Sequence, residues 1–578
     1  MAPAAMLQVL LLSFTFLVAI DATGIFLAVS TITADLGGNA TESFWVGASY
    51  LLSMCLVQPI VSRLIDVFLF KSLVLASIVM LGIGSLLCES ADGLSLLLIG
   101  RTVQGLGAGG LTVLCYAVYD KMNKPSGSKS SNALKFLAAI SLFVATGTIC
   151  GPFIGAALSN SHQWRWIFRL NIPTCIVLGV LVYNSSDVPS RDTAATEPGA
   201  SARNGRDVPN TEPPTKKLSD LVLIDIILFV MSIVPLLMGL SFAGSLYRWN
   251  EWQVIAPIAT GGVFLLLLIG RELWPASPSF PLGSRNTSRE PLQGLKLLKE
   301  GQGIIIFGGA FWLGLLMYAL LFFLPIYYRV VKERSAITTA IFLLPQTLMM
   351  APCAGVVLIL VRWLGLHHSC TVLLGWFCTA IGMGLLALLG VEKSAASDVS
   401  LNLLSGFGIG VLLPALAYSA QESTRMVKPT MVFVFARYLG SASGLVIVGL
   451  VFQRVLRSNL GSTKFSSEAD NMTRYATTLM YSIQQMSSPE DKRILTHVTE
   501  KSLRTIWLAL SLVSLAMFLL SCGSFVAGRE EQERESQISK RRTDSVLSHP
   551  ETLELSKTNM DLLHECAINS KKSIDMGG

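Results

Sequence analysis

The feature that most constrains this 578-residue chain is a series of fourteen apolar runs, each of about twenty residues, with nearly all charge gathered between them. Coiled as helix at about 1.5 Å per residue, such a run spans the roughly 30 Å hydrocarbon core of a bilayer. Backbone amides and carbonyls inside lipid must be satisfied within the segment, so each run is expected to be an α-helix. The runs fall at about 7–30, 44–65, 71–90, 94–118, 134–158, 166–184, 219–243, 253–272, 303–328, 336–361, 369–391, 399–420, 429–453 and 504–527. They are too long for the alternating strands of roughly ten residues that build a membrane barrel. Composition agrees: 52% of residues are hydrophobic and 14% charged, against about 25% charged in a soluble domain. An ordinary soluble enzyme and a disordered chain are both excluded. The expected fold is an all-α integral membrane protein with fourteen transmembrane helices.

The formal charge of +7 sits in connections, where it bears on orientation rather than on nucleic acid. With the N-terminus in the cytoplasm, about sixteen Lys and Arg fall in short inner connections and six in outer ones, as the positive-inside rule requires. The first run lacks a basic leader and contains Asp21, so it is read as a retained span rather than a signal peptide. An even number of spans returns the C-terminus to the cytoplasm. The sequons at Asn39 and Asn471 then face outward as glycosylation candidates, and those at Asn184 and Asn286 face inward. Residues 185–218, rich in Pro, Ser, Thr and charge, read as a disordered linker. Residues 455–503 read as an outer loop with a short helix around 474–487, and 528–578 as a solvated tail carrying Lys540, Arg541 and Arg542.

Catalytic and cofactor signatures are missing from the sequence. The ten cysteines form no C-x-x-C pair, and neither a Walker A loop nor a H-E-x-x-H helix occurs. The six histidines lie in connections or the tail. The expectation is a protein that is not an enzyme and needs no metal or cofactor.

Charged and glycine-rich positions inside the spans carry the chemistry. Asp21 lies within span 1; a buried carboxylate can load and release a proton, which makes it the proton-coupling candidate, with a fixed ion pair as the competing role. Arg101 lies within span 4, with Gln104 one turn on and a GxxxG pair at Gly105 and Gly109. Span 5 contains Gly147, Gly151, Pro152 and Gly155: a smooth face with a kink, suited to sliding contact between two bundles. Arg437 in span 13, with Gln104 and Gln421, is a candidate for contacting substrate in a mostly apolar cavity. Trp312, Phe322, Phe323 and Tyr328 are candidate aromatic lining, although packing explains each as well. Asp225, near the inner end of span 7, reads as structural.

Taken together, these segments resemble the fourteen-span drug:proton antiporters of fungi and bacteria within the major facilitator superfamily. The matching pieces are Asp21-Ala22-Thr23 in span 1, Arg101 to Gly105 in span 4, Gly147 to Gly155 in span 5, and Trp164 to Phe168 with Asn171 and Pro173 entering span 6. The loop between spans 2 and 3 keeps Leu64, Asp66 and Lys71 of the family pattern but not its glycines and arginines. The resemblance implies that Asp66 and Lys71 belong to a cytoplasmic latch. It also implies two six-helix bundles (1–184 and 303–527), with spans 7 and 8 inserted between them in 219–302. Arg362, Gly365 and His367 then repeat the latch loop in the second half. The implied activity is proton-coupled efflux of hydrophobic or amphipathic small molecules, such as a secondary metabolite, toxin or drug, by a monomer in the plasma membrane. Its partners would be a small-molecule substrate, protons and the lipid bilayer, with no nucleic acid. Uptake or vacuolar storage of basic amino acids or siderophores, and a sensor on the same fold, are the other readings.

Overall fold

A computed structural model describes residues 3–37, 40–122, 131–161, 163–185, 220–243, 247–273, 301–390, 394–423, 428–467, 469–474 and 488–547. No strand occurs among them. The helices are α1 (Pro3–Asp35), α2 (Ala40–Leu64), α3 (Phe70–Glu89), α4 (Leu94–Met122), α5 (Ser131–Asn160), α6 (Trp166–Arg169), α7 (Asn171–Asn184), α8 (Asp220–Phe242) and α9 (Trp252–Leu273). They continue with α10 (Gly301–Ile326), α11 (Ala336–Arg362), α12 (His368–Leu386), α13 (Ala395–Ser423), α14 (Pro429–Leu460), α15 (Ala469–Arg474) and α16 (Pro489–Leu547). Thirteen helices among the described residues are long and apolar enough to cross a membrane, α6 and α7 counting together as Trp166–Asn184; in α8 the described apolar stretch, Ile226–Phe242, is shorter. A five-residue π-helical turn, Tyr327–Val331, follows Pro325 at the end of α10, where the missing proline N–H already interrupts the α-helical ladder.

The helices overrun the apolar runs, because helix continues wherever good helix formers follow the hydrophobic stretch. The expected outer loop 455–503 is helical at both ends: α14 runs to Leu460 and α16 starts at Pro489. A short helix lies at Ala469–Arg474; the one expected around 474–487 falls outside the described residues. The expected solvated tail begins as helix, to Leu547. Its Glu, Gln, Lys and Arg are strong helix formers.

The chain divides into two units, Met1–Leu520 and Ser521–Gly578. Within the first, α1 packs on α5, and α2 and α3 both pack on α4. Farther along, α10 packs on α14, and α11 and α12 both pack on α13. These two sets meet where α5 lies against α11 and α2 against α14, while α8 and α9 pack mainly on each other. Large apolar side chains such as Ile176, Leu266 and Leu512 stay exposed. On a chain with these spans such faces are solvated by lipid rather than by water.

Small residues set the closest approaches. A Cβ at Gly155 would strike the backbone carbonyl of Gly24, and one at Gly147 would come within 2.6 Å of both Ala19 Cβ and the Phe16 carbonyl. The α10–α14 pair is built the same way: a Cβ at Gly440 would strike the Phe311 carbonyl, and one at Gly314 the Arg437 carbonyl. Lipid tails are as apolar as the helices, so van der Waals contact of this kind holds them together where the hydrophobic effect cannot.

Candidate functional site

Asp21 and Arg101, eighty residues apart in sequence, form an ion pair in the interior. Arg101 Nη1 donates to Asp21 Oδ2 at 3.0 Å, and the side chains are 1% and 0% exposed. Groups of α2 and α4 hold part of the guanidinium, leaving Nη2 without a partner. Its Nε donates to the Val46 carbonyl at 3.2 Å, Nη1 also donates to Gln104 Oε1 at 2.7 Å, and the Tyr50 ring lies 4.1 Å below the guanidinium carbon. Gln104 Nε2 passes the chain on to Ser85 Oγ at 3.0 Å, and Asn171 Nδ2 donates to Asp21 Oδ1 at 3.2 Å.

The same turns of α1, through residues other than Asp21, wall a cavity of about 10 Å³, room for about one water. Thr15, Val18, Ala19, Ala22 and Thr23 of α1 form one wall, and Thr112, Tyr116, Val144 and Thr148 of α4 and α5 form another. Met317 and Tyr318 of α10 and Arg437 and Tyr438 of α14 close it. Arg437 is 2% exposed, its guanidinium carbon sits 4.5 Å from the centre of the Tyr438 ring, and its Nε and Nη2 have no hydrogen-bond partner. A charged arginine within a span costs at least about 2.5 kcal/mol, and a desolvated ring face offsets about 2 kcal/mol or more of it.

Contacts between the two helix sets lie on either side of the cavity. One turn beyond its α1 wall, Phe26 meets Tyr318 and Phe322 of α10 edge-on, with ring centres 6.0 and 5.9 Å apart. Toward the start of α14, Lys428 Nζ donates to Asp66 Oδ2 and to the Ser62 carbonyl, both at 2.7 Å. Beside it the Thr430 hydroxyl bonds Asp120 Oδ1. Both contacts tie the α2–α4 side to the start of α14.

The sequence candidates therefore separate. Asp21, Arg101 and Gln104 share one network. Arg437 lines the cavity, but Gln104 and Gln421 do not; Gln104 is consumed by Arg101 and Ser85, and Gln421 sits half-buried at the last turn of α13. Asp66 reaches across to Lys428, whereas Lys71 donates to the carbonyls of Tyr183 and Ser185, at 2.7 and 3.0 Å, at the end of α7. The glycine face of α5 (Gly147, Gly151, Gly155, with Pro152 inside the helix) was expected to slide between bundles. It packs on α1, where a Cβ on Gly151 would strike the Thr23 hydroxyl, and the same helix also lies against α11. Phe322 and Phe323 pack edge-on, Trp312 packs on Phe311, and Tyr328 bonds Asn402, so none of the four lines the cavity. Asn39 and the side chains of Asn471 and Asp225 lie outside the described residues. Lys428, Asp120 and Tyr116 escaped the sequence reading, and Asn171 entered it only as part of the stretch that resembles the family. The one signal for Asp120 was a carboxylate in the last turn of an apolar helix. Among the described residues no three His, Cys, Asp or Glu side chains come together as a metal site.

Comparison with known proteins gives a consistent result. The profile of the Major Facilitator Superfamily matches residues 11–445. A protein named MFS transporter L2, from Phoma sp., is 27% identical over 501 residues, covering 86% of this chain and 77% of its own. One named MFS-type efflux pump LUC4, from Fusarium sp., is 26% identical over 518 residues, covering 88% and 85%. Among solved structures, a bacterial homologue of the human lysosomal transporter Spinster, inward-facing and unoccupied, superposes with a TM-score of 0.52 at 13% identity, over 91% of this chain and 98% of that one.

Proposed function

The chain belongs to the Major Facilitator Superfamily, and on that premise we propose that it exports hydrophobic or amphipathic small molecules in exchange for protons. The observation that carries this reading is the Asp21–Arg101 pair, buried on the same turns of α1 that wall the cavity. A carboxylate so placed feels both the occupant of the cavity and the helix movements that open it. Protonation of Asp21 releases Arg101 to its other partners, Val46, Gln104 and Tyr50, and loosens α1 from α4. Reionisation restores the pair. The two end closures are the gates in this scheme: the Phe26 rings on one side, and the Asp66–Lys428 and Asp120–Thr430 contacts on the other. Alternate opening of these ends moves substrate and proton in opposite directions.

The same reading takes the chain as fourteen spans in two six-helix bundles, 1–184 and 303–527, with α8 and α9 as the inserted pair. It places the monomer in the plasma membrane with both termini in the cytoplasm. The names of the fungal relatives, among them efflux pumps, support the export direction.

The test is energised efflux from yeast lacking its own drug exporters, loaded with a panel of fluorescent hydrophobic compounds. Export by wild type is expected to stop with a protonophore and to fall in Asp21→Asn. Export that survives Asp21→Asn with its protonophore sensitivity intact would remove Asp21 from the proton path.

A further inference from the structure

Arg437 is less well partnered than Arg101. Arg101 has Asp21, Gln104 and a backbone carbonyl and leaves only Nη2 without a partner, whereas Arg437 has both Nε and Nη2 buried without partners and faces a cavity. Of the interior carboxylates, Asp21 pairs with Arg101, and Asp120, one turn along α4 from Tyr116, bonds Thr430 through Oδ1 and leaves Oδ2 without a partner. Tyr116, Tyr318, Tyr438, Thr112 and Thr148 line the cavity with Arg437; the two threonine hydroxyls donate to the Ala108 and Val144 carbonyls of their own helices, whereas the Tyr116 hydroxyl is without a partner. A guanidinium with two unpartnered nitrogens and an unpartnered phenol in the same cavity matches an anion with two oxygens and spare lone pairs. The remaining wall, including Val18, Val144 and Met317, is hydrocarbon.

We infer that Arg437 is a recognition site for the carboxylate of an amphipathic organic acid, with the apolar wall receiving the carbon skeleton. The inference rests on the export reading and narrows its substrate class from hydrophobic molecules in general to acidic ones. The cavity, of about 10 Å³, is the closed form; the ligand enters as one end opens. The acid then supplies the negative charge at Arg437 that Asp21 supplies at Arg101.

The experiment measures ligand-induced stabilisation of the purified full chain by pyrenebutyrate, pyrenebutyrate methyl ester and pyrenebutylamine. These probes share a ring system and differ in charge. Wild type is expected to be stabilised by the acid and much less by the ester or the amine. Arg437→Gln should weaken the acid by about 10- to 100-fold, the loss of a charged hydrogen bond, and leave the ester unchanged; Arg437→Lys should retain part of the preference. If Arg437→Gln does not fold, Tyr116→Phe provides the second reading, weakening the acid alone by about tenfold. Equal binding of acid and ester by wild type, no binding of the acid, or a parallel loss of all three probes in the variants overturns the inference. No gradient enters this assay, so failure of proton coupling in the efflux test leaves its outcome unaffected.

Discussion

Removing either member of the Asp21–Arg101 pair is expected to destabilise the protein, but not in the same way. At 3.0 Å the direct attraction is about 5–6 kcal/mol at an effective dielectric constant near 20, and desolvation of both ions cancels much of it. What remains visible on breaking a buried pair is about 3–5 kcal/mol, mainly the cost of the stranded charge. Asp21→Asn strands the guanidinium and Arg101→Gln strands the carboxylate. The double variant replaces the ions by two amides within bonding reach and should be less destabilised than the sum of the singles, by about 2 kcal/mol. The measurement is unfolding of the purified chain in mixed micelles, followed by tryptophan fluorescence. Additivity within about 0.5 kcal/mol would refute the reasoning.

Two other substitutions test the packing and the closure. Gly155→Ala should cost about 1–3 kcal/mol because its Cβ meets the Gly24 backbone, whereas Gly355→Ala, with open space around it, should stay within about 0.5 kcal/mol; the same unfolding assay compares them. Asp66→Asn removes a contact in which the carboxylate is 45% exposed, so stability should change by less than about 1 kcal/mol. The closed population should nevertheless fall, read as faster maleimide labelling of a cysteine introduced at Ser62.

Several site residues stood out in the sequence because their oddity is local. A carboxylate or guanidinium within twenty apolar residues is conspicuous wherever it folds, so Asp21, Arg101 and Arg437 were found without coordinates. Gln104 and Gln421 were chosen by the same logic and do not line the cavity: a polar side chain in a span needs a partner, but the sequence does not say whether that partner is a ligand or a neighbour. Lys428 gave no signal at all, being one basic residue among many in connections, and its reach to Asp66 closes 362 positions of chain.

Apolar length, helix formation and the small-residue faces of α1, α4, α5 and α14 were fixed by the sequence itself, since bilayer thickness and backbone hydrogen bonding act on each segment alone. Tertiary structure decided which charges meet. It gave Arg101 an anion and left Arg437 without one, turned the smooth face of α5 onto α1, and tied Asp66 to Lys428. Those outcomes depend on how helices distant in sequence rotate and seat against each other, and such a fit is a property of two surfaces that neither segment carries alone.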